Sequence, residues 1–490
     1  MPSGQYDFVV VANRLPVDKV GTTDDGEPLY ETSPGGLVTA LAPVMRSQHG
    51  AWVGWAGAPD ESGDAFDSDG MHLVPVELSG QDVEDYYEGM SNGTLWPLFH
   101  DVIAAPEYHR HWWDAYVRVN RRFAEAAAAQ ADSGATVWVQ DYQLLLVPAM
   151  LREQRPDLRI GFFNHIPFPG YEIFSQLPWR RQVIEGVLGS DLVGFQRRSD
   201  ATNFLRACRR AAGATTRGSS VHVGHGGEGD GHRAVRAAAF PISIDARSFE
   251  ELASDSAVVA RAAEVRKELG DPDLVLLGVD RLDYTKGIRH RLSIFKELIE
   301  DGALGDKQVV LVQVASPSRE RVKAYSDLRD EVELIVGRLN GDHGTVGWQP
   351  VHYLHQSFPR NEMAALYLAA DVMLVTALRD GMNLVAKEYV AARHDDDGVL
   401  VLSEFAGAAD ELAQAVLVNP HDIDGTKAAI TRAASMSREE RRRRMRALRR
   451  RVKEHDVERW AQEFLGSLQG RVGARDGGSG IESGSGERER

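Results

Sequence analysis

Short apolar runs recur along this chain, and between them apolar residues space themselves at three- and four-residue intervals. The first kind of segment reads as a buried strand and the second as an amphipathic helix. Strands are predicted at 8–12, 136–139, 160–163, 192–195, 274–279, 309–314, 372–376 and 399–402. Helical spacing covers 118–131 and 288–300. Buried strands alternating with helices predict a parallel α/β architecture. With 490 residues the chain exceeds what one core serves, so two domains are expected, 1–243 and 244–452, with the break near 241–247. A further helical segment, 453–469, and a Gly-, Ser-, Glu- and Arg-rich tail, 470–490, follow; the tail is expected to be disordered.

Composition narrows the class. Hydrophobic residues make up 43%, enough for substantial cores, yet no apolar run approaches the roughly 20 residues of a membrane span. Met1-Pro2-Ser3-Gly4 leads straight into a strand, so no secretion signal is expected. Cys208 is the only cysteine, which excludes intramolecular disulfides and cysteine-based zinc sites and fits a reducing cytoplasm. A net charge of -16 argues against nucleic acid and anionic membranes as partners, while leaving room for a local basic pocket. The Gly- and His-rich stretch 218–231 reads as a surface loop or hairpin tip. His222, His225 and His232 there lack acidic or Cys partners at a regular spacing, so no metal site is read from them. The arginine-dense 437–451 carries Met445, Leu448 and Val452 on one stripe and reads as a solvated helix with a buried edge.

The candidate chemistry sits where strands end. Arg379-Asp380-Gly381-Met382-Asn383-Leu384-Val385-Ala386-Lys387-Glu388 follows the 372–376 strand and opens a helix. A Gly-bearing turn before free helical N–H groups suits a phosphate, and Glu388, one turn in, suits ribose hydroxyls. A purely structural strand–turn–helix is the alternative reading. Asp280-Arg281-Leu282-Asp283-Tyr284-Thr285-Lys286-Gly287 has the same layout and brings two cations, Arg281 and Lys286, to the turn. Arg319 follows the next strand, and Arg14 ends the first. Such cations are the expected device for the charge that develops on a departing diphosphate. Gly35-Gly36 opens a helix that an anion could approach. Asp141 and His165 lie at strand ends of the first half, where they suit sugar hydroxyls or a structural role. Tyr86-Tyr87 and Leu95-Trp96-Pro97 suit a sugar-stacking wall or core, with base rates favouring core.

Together Asn13-Arg14, Gly35-Gly36, Tyr87 with Trp96, Asp141-Tyr142, the 165–169 His-Ile-Pro-Phe-Pro run, the 281–287 turn and 379–388 resemble retaining glycosyltransferase family 20. The resemblance runs from about Val9 to Leu465. It implies a GT-B fold, two Rossmann-like domains facing across a cleft, with the 453–469 helix returning to the N-terminal domain. It implies that glucose passes, with retention, from a nucleoside-diphosphate glucose to glucose 6-phosphate, giving α,α-trehalose 6-phosphate. UDP-glucose is the favoured donor, and ADP- and GDP-glucose remain open. Arg14, Tyr87, Trp96, Asp141 and Arg319 would hold the acceptor. Gly35, Gly36, His165, Arg281, Lys286, Phe358, Asp380, Met382, Asn383, Leu384, Val385, Ala386, Lys387 and Glu388 would hold the donor. Arg281, Lys286, His165 and Asp380 form the implied catalytic set. No metal or other cofactor is expected, and the sequence shows no aspartate pair of the metal-binding transferase kind. A homo-oligomer (dimer or tetramer) and a separate phosphatase acting on the product are further expectations. Competing readings are a related synthase with another acceptor, such as glycerol 3-phosphate, and a silent sugar-phosphate-sensing subunit.

Overall fold

A computed structural model describes residues 5–22, 28–32, 38, 41, 44–45, 48, 50–61, 63–223 and 233–470. The chain begins with Tyr6–Arg14 (β1), an antiparallel pair Val17–Thr22 (β2) and Pro28–Thr32 (β3), then Ala51–Trp55 (β4), Phe66–Ser68 (β5) and Met71–Pro75 (β6). After a long helical stretch come Ala131–Gln140 (β7), Arg159–Asn164 (β8), Leu192–Phe195 (β9), Thr215–Arg217 (β10), Ser220–Val223 (β11) and Arg233–Ala239 (β12). All but β2 and β3 join one sheet in the order β10-β11-β12-β9-β8-β7-β1-β4-β6-β5. Its middle, from β12 to β6, is parallel, and antiparallel strands close both edges. Leu274–Arg281 (β13), Val309–Ser316 (β14), Val351–Leu354 (β15), Val372–Val375 (β16), Val399–Ser403 (β17) and Val416–Val418 (β18) build a second sheet. Its order is β15-β14-β13-β16-β17-β18, parallel throughout.

Both sheets reverse direction at their middle. The chain leaves β1 toward β4 and β6, then returns to β7 on β1's other side. It likewise leaves β13 toward β14 and β15 and returns to β16. At such a point neighbouring loops diverge beyond the carboxyl ends of the strands, and a crevice opens there. Arg14 and Arg281 end β1 and β13; Asp141, His165 and Asp380 follow β7, β8 and β16.

The Val457–Leu468 helix lies on the first sheet although it ends the described chain. The Phe464 ring stacks on Trp138 at 4.5 Å, and the Trp460 indole N–H donates to the Phe240 carbonyl at 3.1 Å. Gly161 and Gly194 make the seat, because a Cβ on either would come within 2.8 Å of the Phe464 ring. The packing returns the last helix to the N-terminal half.

Several predicted elements shift. The 118–131 helix runs Arg110–Gln130, and Ala131 opens β7 instead. β4, β6, β12, β15 and β18 are strands that the apolar pattern did not give, being short or interrupted by Gly, His or Arg. His222 lies on β11, within an antiparallel meander; His225, His232 and the tail beyond Gly470 lie outside the described residues. The arginine-rich helix spans Arg438–Glu454 with Met445, Leu448 and Val452 buried.

Candidate active site

The turn after β16 is held from within. Asn383 sits at φ 78 and caps the Leu384–Ala392 helix, its Oδ1 accepting from the Ala386 N–H at 3.1 Å. Its Nδ2 donates to Asp380 Oδ2 at 3.1 Å, and the Lys286 ammonium donates to the same oxygen at 2.6 Å. Burial alone would push the Asp380 carboxyl up; the Lys286 ammonium outweighs it and holds the group below the usual carboxylate range. Gly381 packs on the His165 carbonyl so closely that a Cβ would stand 2.2 Å from that oxygen. This turn therefore rests on the opposite half of the molecule. Asn383→Ala removes the cap and puts at positive φ a residue that tolerates it less well than asparagine does. Its expected cost is about 1–2 kcal/mol in denaturant unfolding, with weaker binding of a nucleotide ligand. One helical turn on, Glu388 Oε2 accepts from the Tyr367 hydroxyl at 2.9 Å, and burial raises its carboxyl.

A wide helix shapes the facing surface of the first half. Val83–Leu95 is a π-helix, and the Trp96 N–H bonds back to the Ser91 carbonyl, five residues earlier. Tyr87 and Trp96 are nine apart in sequence. In an α-helix that is about two and a half turns, which puts them on opposite faces. At roughly 4.4 residues per turn it is about two turns, so they share a face. Asn92 locks the register by donating to the Tyr87 carbonyl at 2.7 Å and accepting from the Tyr142 hydroxyl at 2.8 Å.

Cations from the second sheet cover that face. The Arg319 guanidinium carbon lies 3.8 Å from the Trp96 ring centroid, and that of Arg281 lies 5.4 Å from it. Arg319, at φ 51, also donates to the Tyr142 hydroxyl at 3.1 Å and pairs with the buried Asp283 at 3.4 Å. Burial would raise Asp283; Arg319, Arg281 and Lys286 together lower it. Arg14 stands over the Trp55 ring at 5.0 Å, paired with Asp18, and Trp55 meets Tyr87 at 5.9 Å between ring centroids. The resulting wall of cations and rings suits a phosphorylated sugar.

Asp141 adopts φ 71, ψ 172, a conformation that strains any residue with a Cβ. Its Oδ1 accepts from the N–H groups of Tyr142 and His165 at 3.0 and 3.1 Å, and burial pushes its carboxyl up to about 6. The His165 ring is fixed on both nitrogens. Gln196 Oε1 accepts from the Ile242 N–H at 2.9 Å, so its Nε2 faces His165 Nδ1, at 3.4 Å. Nδ1 thus accepts and Nε2 carries the proton, which it donates to Gln140 Oε1 at 2.9 Å. Burial drops the ring's pKa to about 3.

With both nitrogens engaged, the His165 ring resists protonation. The Lys387 side chain has protein partners of its own. Its ammonium donates to the Ile242 carbonyl at 2.8 Å and pairs with Glu411 at 2.5 Å, at 2% exposure. Gly35 and Gly36 lie outside the described residues. Phe358 is half-buried just before the Arg360–Ala369 helix; Met382 and Ala386 are buried, and Leu384 and Val385 are half-buried. Asp283, Tyr325, Gln140 and Gln196 were not singled out as site residues. Asp283 alone had a local signal, its N-capping place before Thr285. Among the described residues, no group of three or more His, Cys, Asp or Glu could hold a metal ion. No helix among them is long and apolar enough to cross a membrane.

Comparison with known proteins places the chain in a family. The family model for glycosyltransferase family 20 matches residues 6–470. A trehalose-6-phosphate synthase of Mycobacterium sp. (strain KMS) is 59% identical, over 96% of this chain and 97% of that protein. Two solved structures are close in shape. One is an α,α-trehalose-phosphate synthase (UDP-forming) of Burkholderia xenovorans in complex with glucose-6-phosphate, at 34% identity, TM-score 0.85, covering 94% and 99% of the two chains. The other, named "Trehalose-6-phosphate from E. coli bound with UDP-2-fluoro glucose", has 35% identity, TM-score 0.84, and covers 95% and 99%. The two-sheet GT-B architecture is common to them. This chain belongs to glycosyltransferase family 20.

Proposed function

We propose that this chain makes α,α-trehalose 6-phosphate, transferring glucose with retention from a nucleoside-diphosphate glucose, UDP-glucose foremost, to glucose 6-phosphate. The observation that carries the reading is the convergence of Arg281 and Arg319 from the second half on Trp96 of the first, beside the Lys286–Asp380 pair. The E. coli and Burkholderia neighbours, solved with UDP-2-fluoro glucose and glucose-6-phosphate, support the choice of both substrates.

In this reading Arg14 and Arg319 take the acceptor phosphate, and Tyr87, Trp96 and Asp141 its sugar. Asp380 accepts from donor glucose hydroxyls, Glu388 from the ribose, and the helix N–H groups of 384 and 385 meet the diphosphate. The glycosidic C1–O bond to the diphosphate breaks, and a C1–O bond to the acceptor's anomeric oxygen forms on the same face. The acceptor's hydroxyl proton passes to the departing phosphate oxygen. Arg281 and Lys286 stabilise the charge left on that group. Lys286 and Asn383 already hold one Asp380 oxygen, which favours a hydrogen-bonding role over attack at carbon. The product is a phosphate monoester, so a separate phosphatase is expected to act next. A reducing cytoplasm fits the single, buried Cys208.

The test offers UDP-, ADP- and GDP-glucose with glucose 6-phosphate or glycerol 3-phosphate and identifies products by mass and anomeric NMR. The expected product is the α,α-1,1-linked disaccharide phosphate, formed best from UDP-glucose. Preference for glycerol 3-phosphate overturns the acceptor assignment, and binding of both substrates without product overturns the activity.

A further inference from the structure

Arg379 directly precedes Asp380, yet it faces the other half of the molecule. Its Nε lies 3.1 Å from Asp101 Oδ2, and its Nη2 lies 3.7 Å from Asp200 Oδ1. Asp101 belongs to the loop that leaves the Trp96–Phe99 helix; Asp200 is in the first turn of the Arg198–Ala211 helix. One guanidinium therefore spans the donor turn and two elements of the acceptor half. Lysine has no such planar fork.

Two further observations show that the arrangement is built and only partly engaged. Asp101 and Val102 have φ values of 56 and 60, a costly backbone for a β-branched residue, held by the Val102 N–H donating to the Pro97 carbonyl at 2.9 Å. The strained loop carries Asp101 toward Arg379, and His100, just before it, packs on the Trp96 ring at 4.1 Å. Asp200 is fully buried, and neither carboxylate oxygen has a well-aligned hydrogen bond; burial raises the group to about 6 against the Arg379 guanidinium and the Phe168 and Arg197 N–H groups. At 3.7 Å the Arg379–Asp200 pair is too long for a hydrogen bond, so a small approach of the two halves converts it into one. A buried carboxylate short of close, well-aligned donors favours that approach. Nearby, Arg197 grips Asp410 with two bonds of 2.9 and 2.7 Å, which marks the same seam between the halves.

We propose that Arg379 is a positioning residue that couples the two substrate sites: through Asp101 and Asp200 it ties the Asp380 turn to the Trp96 helix, so that filling one site favours filling the other. The inference rests on the substrate assignment above and adds an interaction between the sites. By linkage, the coupling is the same whichever ligand binds first.

Calorimetry with UDP and glucose 6-phosphate, which do not react together, reads the coupling directly. In the unaltered protein, saturating glucose 6-phosphate should tighten UDP binding by roughly fivefold or more. Arg379→Gln should bring that ratio to about 1, with an unchanged fold by circular dichroism. Asp101→Asn, at an exposed side chain, should lower the ratio without touching the core, and Arg379→Lys should restore part of it. A merely structural role would move the unfolding temperature and leave the ratio alone. Equal UDP affinity with and without the sugar phosphate in the unaltered protein overturns the coupling, as does a full ratio in both Arg379→Gln and Asp101→Asn. Failure of either ligand to bind by itself counts against the substrate assignment, and the coupling falls with it.

Discussion

Replacing Lys286 with alanine should lower turnover by roughly 10²-fold or more, the scale of removing one preorganised charge from a departing anion. The ammonium is nearly buried and sits 2.6 Å from Asp380 Oδ2, so the substitution acts twice. It takes a cation away from the diphosphate. It also leaves a buried carboxylate without the cation that did most to offset its burial, which raises the Asp380 carboxyl and weakens it as an acceptor for donor hydroxyls. Lys286→Arg keeps the charge but not the compact fit, and is expected to recover only part of the rate. The measurement is kcat with saturating UDP-glucose and glucose 6-phosphate, on variants whose circular dichroism matches the parent. Near-parental kcat for Lys286→Ala would remove Lys286 from the catalytic set.

The largest expected loss of stability comes from Arg291, beneath the same turn. Its side chain is 1% exposed and pairs at 2.6 Å with Asp280, itself 3% exposed. It also donates to Gln313 at 2.7 Å and to the Thr376 hydroxyl at 3.1 Å. Gly278 leaves the slot, since a Cβ there would stand 2.2 Å from the guanidinium. Arg291→Met strands a buried aspartate and should cost about 3–5 kcal/mol in denaturant unfolding. A second change, Asp280→Leu, removes the stranded charge and should recover much of the loss. Because Asp280 adjoins Arg281, the single variant should also lose activity. A loss below about 1 kcal/mol would mean that the pair is dispensable.

These two predictions draw on different information. Lys286 could be singled out from the chain: an apolar run, a polar turn and a glycine place a cation at a strand's carboxyl end, whatever surrounds them. The same local logic marked Arg281 and Glu388, while Asp380 and Asn383 came from the resemblance to the family. Nothing local marked Arg291 as buried, because helix spacing alone does not say which positively charged residue faces an aspartate on a neighbouring strand. Lys387 shows the converse. Its place in the motif suggested a ligand, and its burial against Ile242 and Glu411 makes it a strut between the halves.

The sequence by itself determined the parallel α/β class, the strand ends that carry charge, and the family these motifs belong to. All of these depend on residues within one turn or one strand of each other, where spacing and side-chain type decide the outcome. Only the tertiary structure decided that Tyr87 and Trp96 share a face, that Arg319 reaches Tyr142, that the His165 proton sits on Nε2, and that Arg379 spans both halves. The wide turns of the 83–95 helix, locked by Asn92 and Tyr142, and contacts between residues far apart in the chain set these features. Their energies depend on burial and on partners that no local pattern encodes.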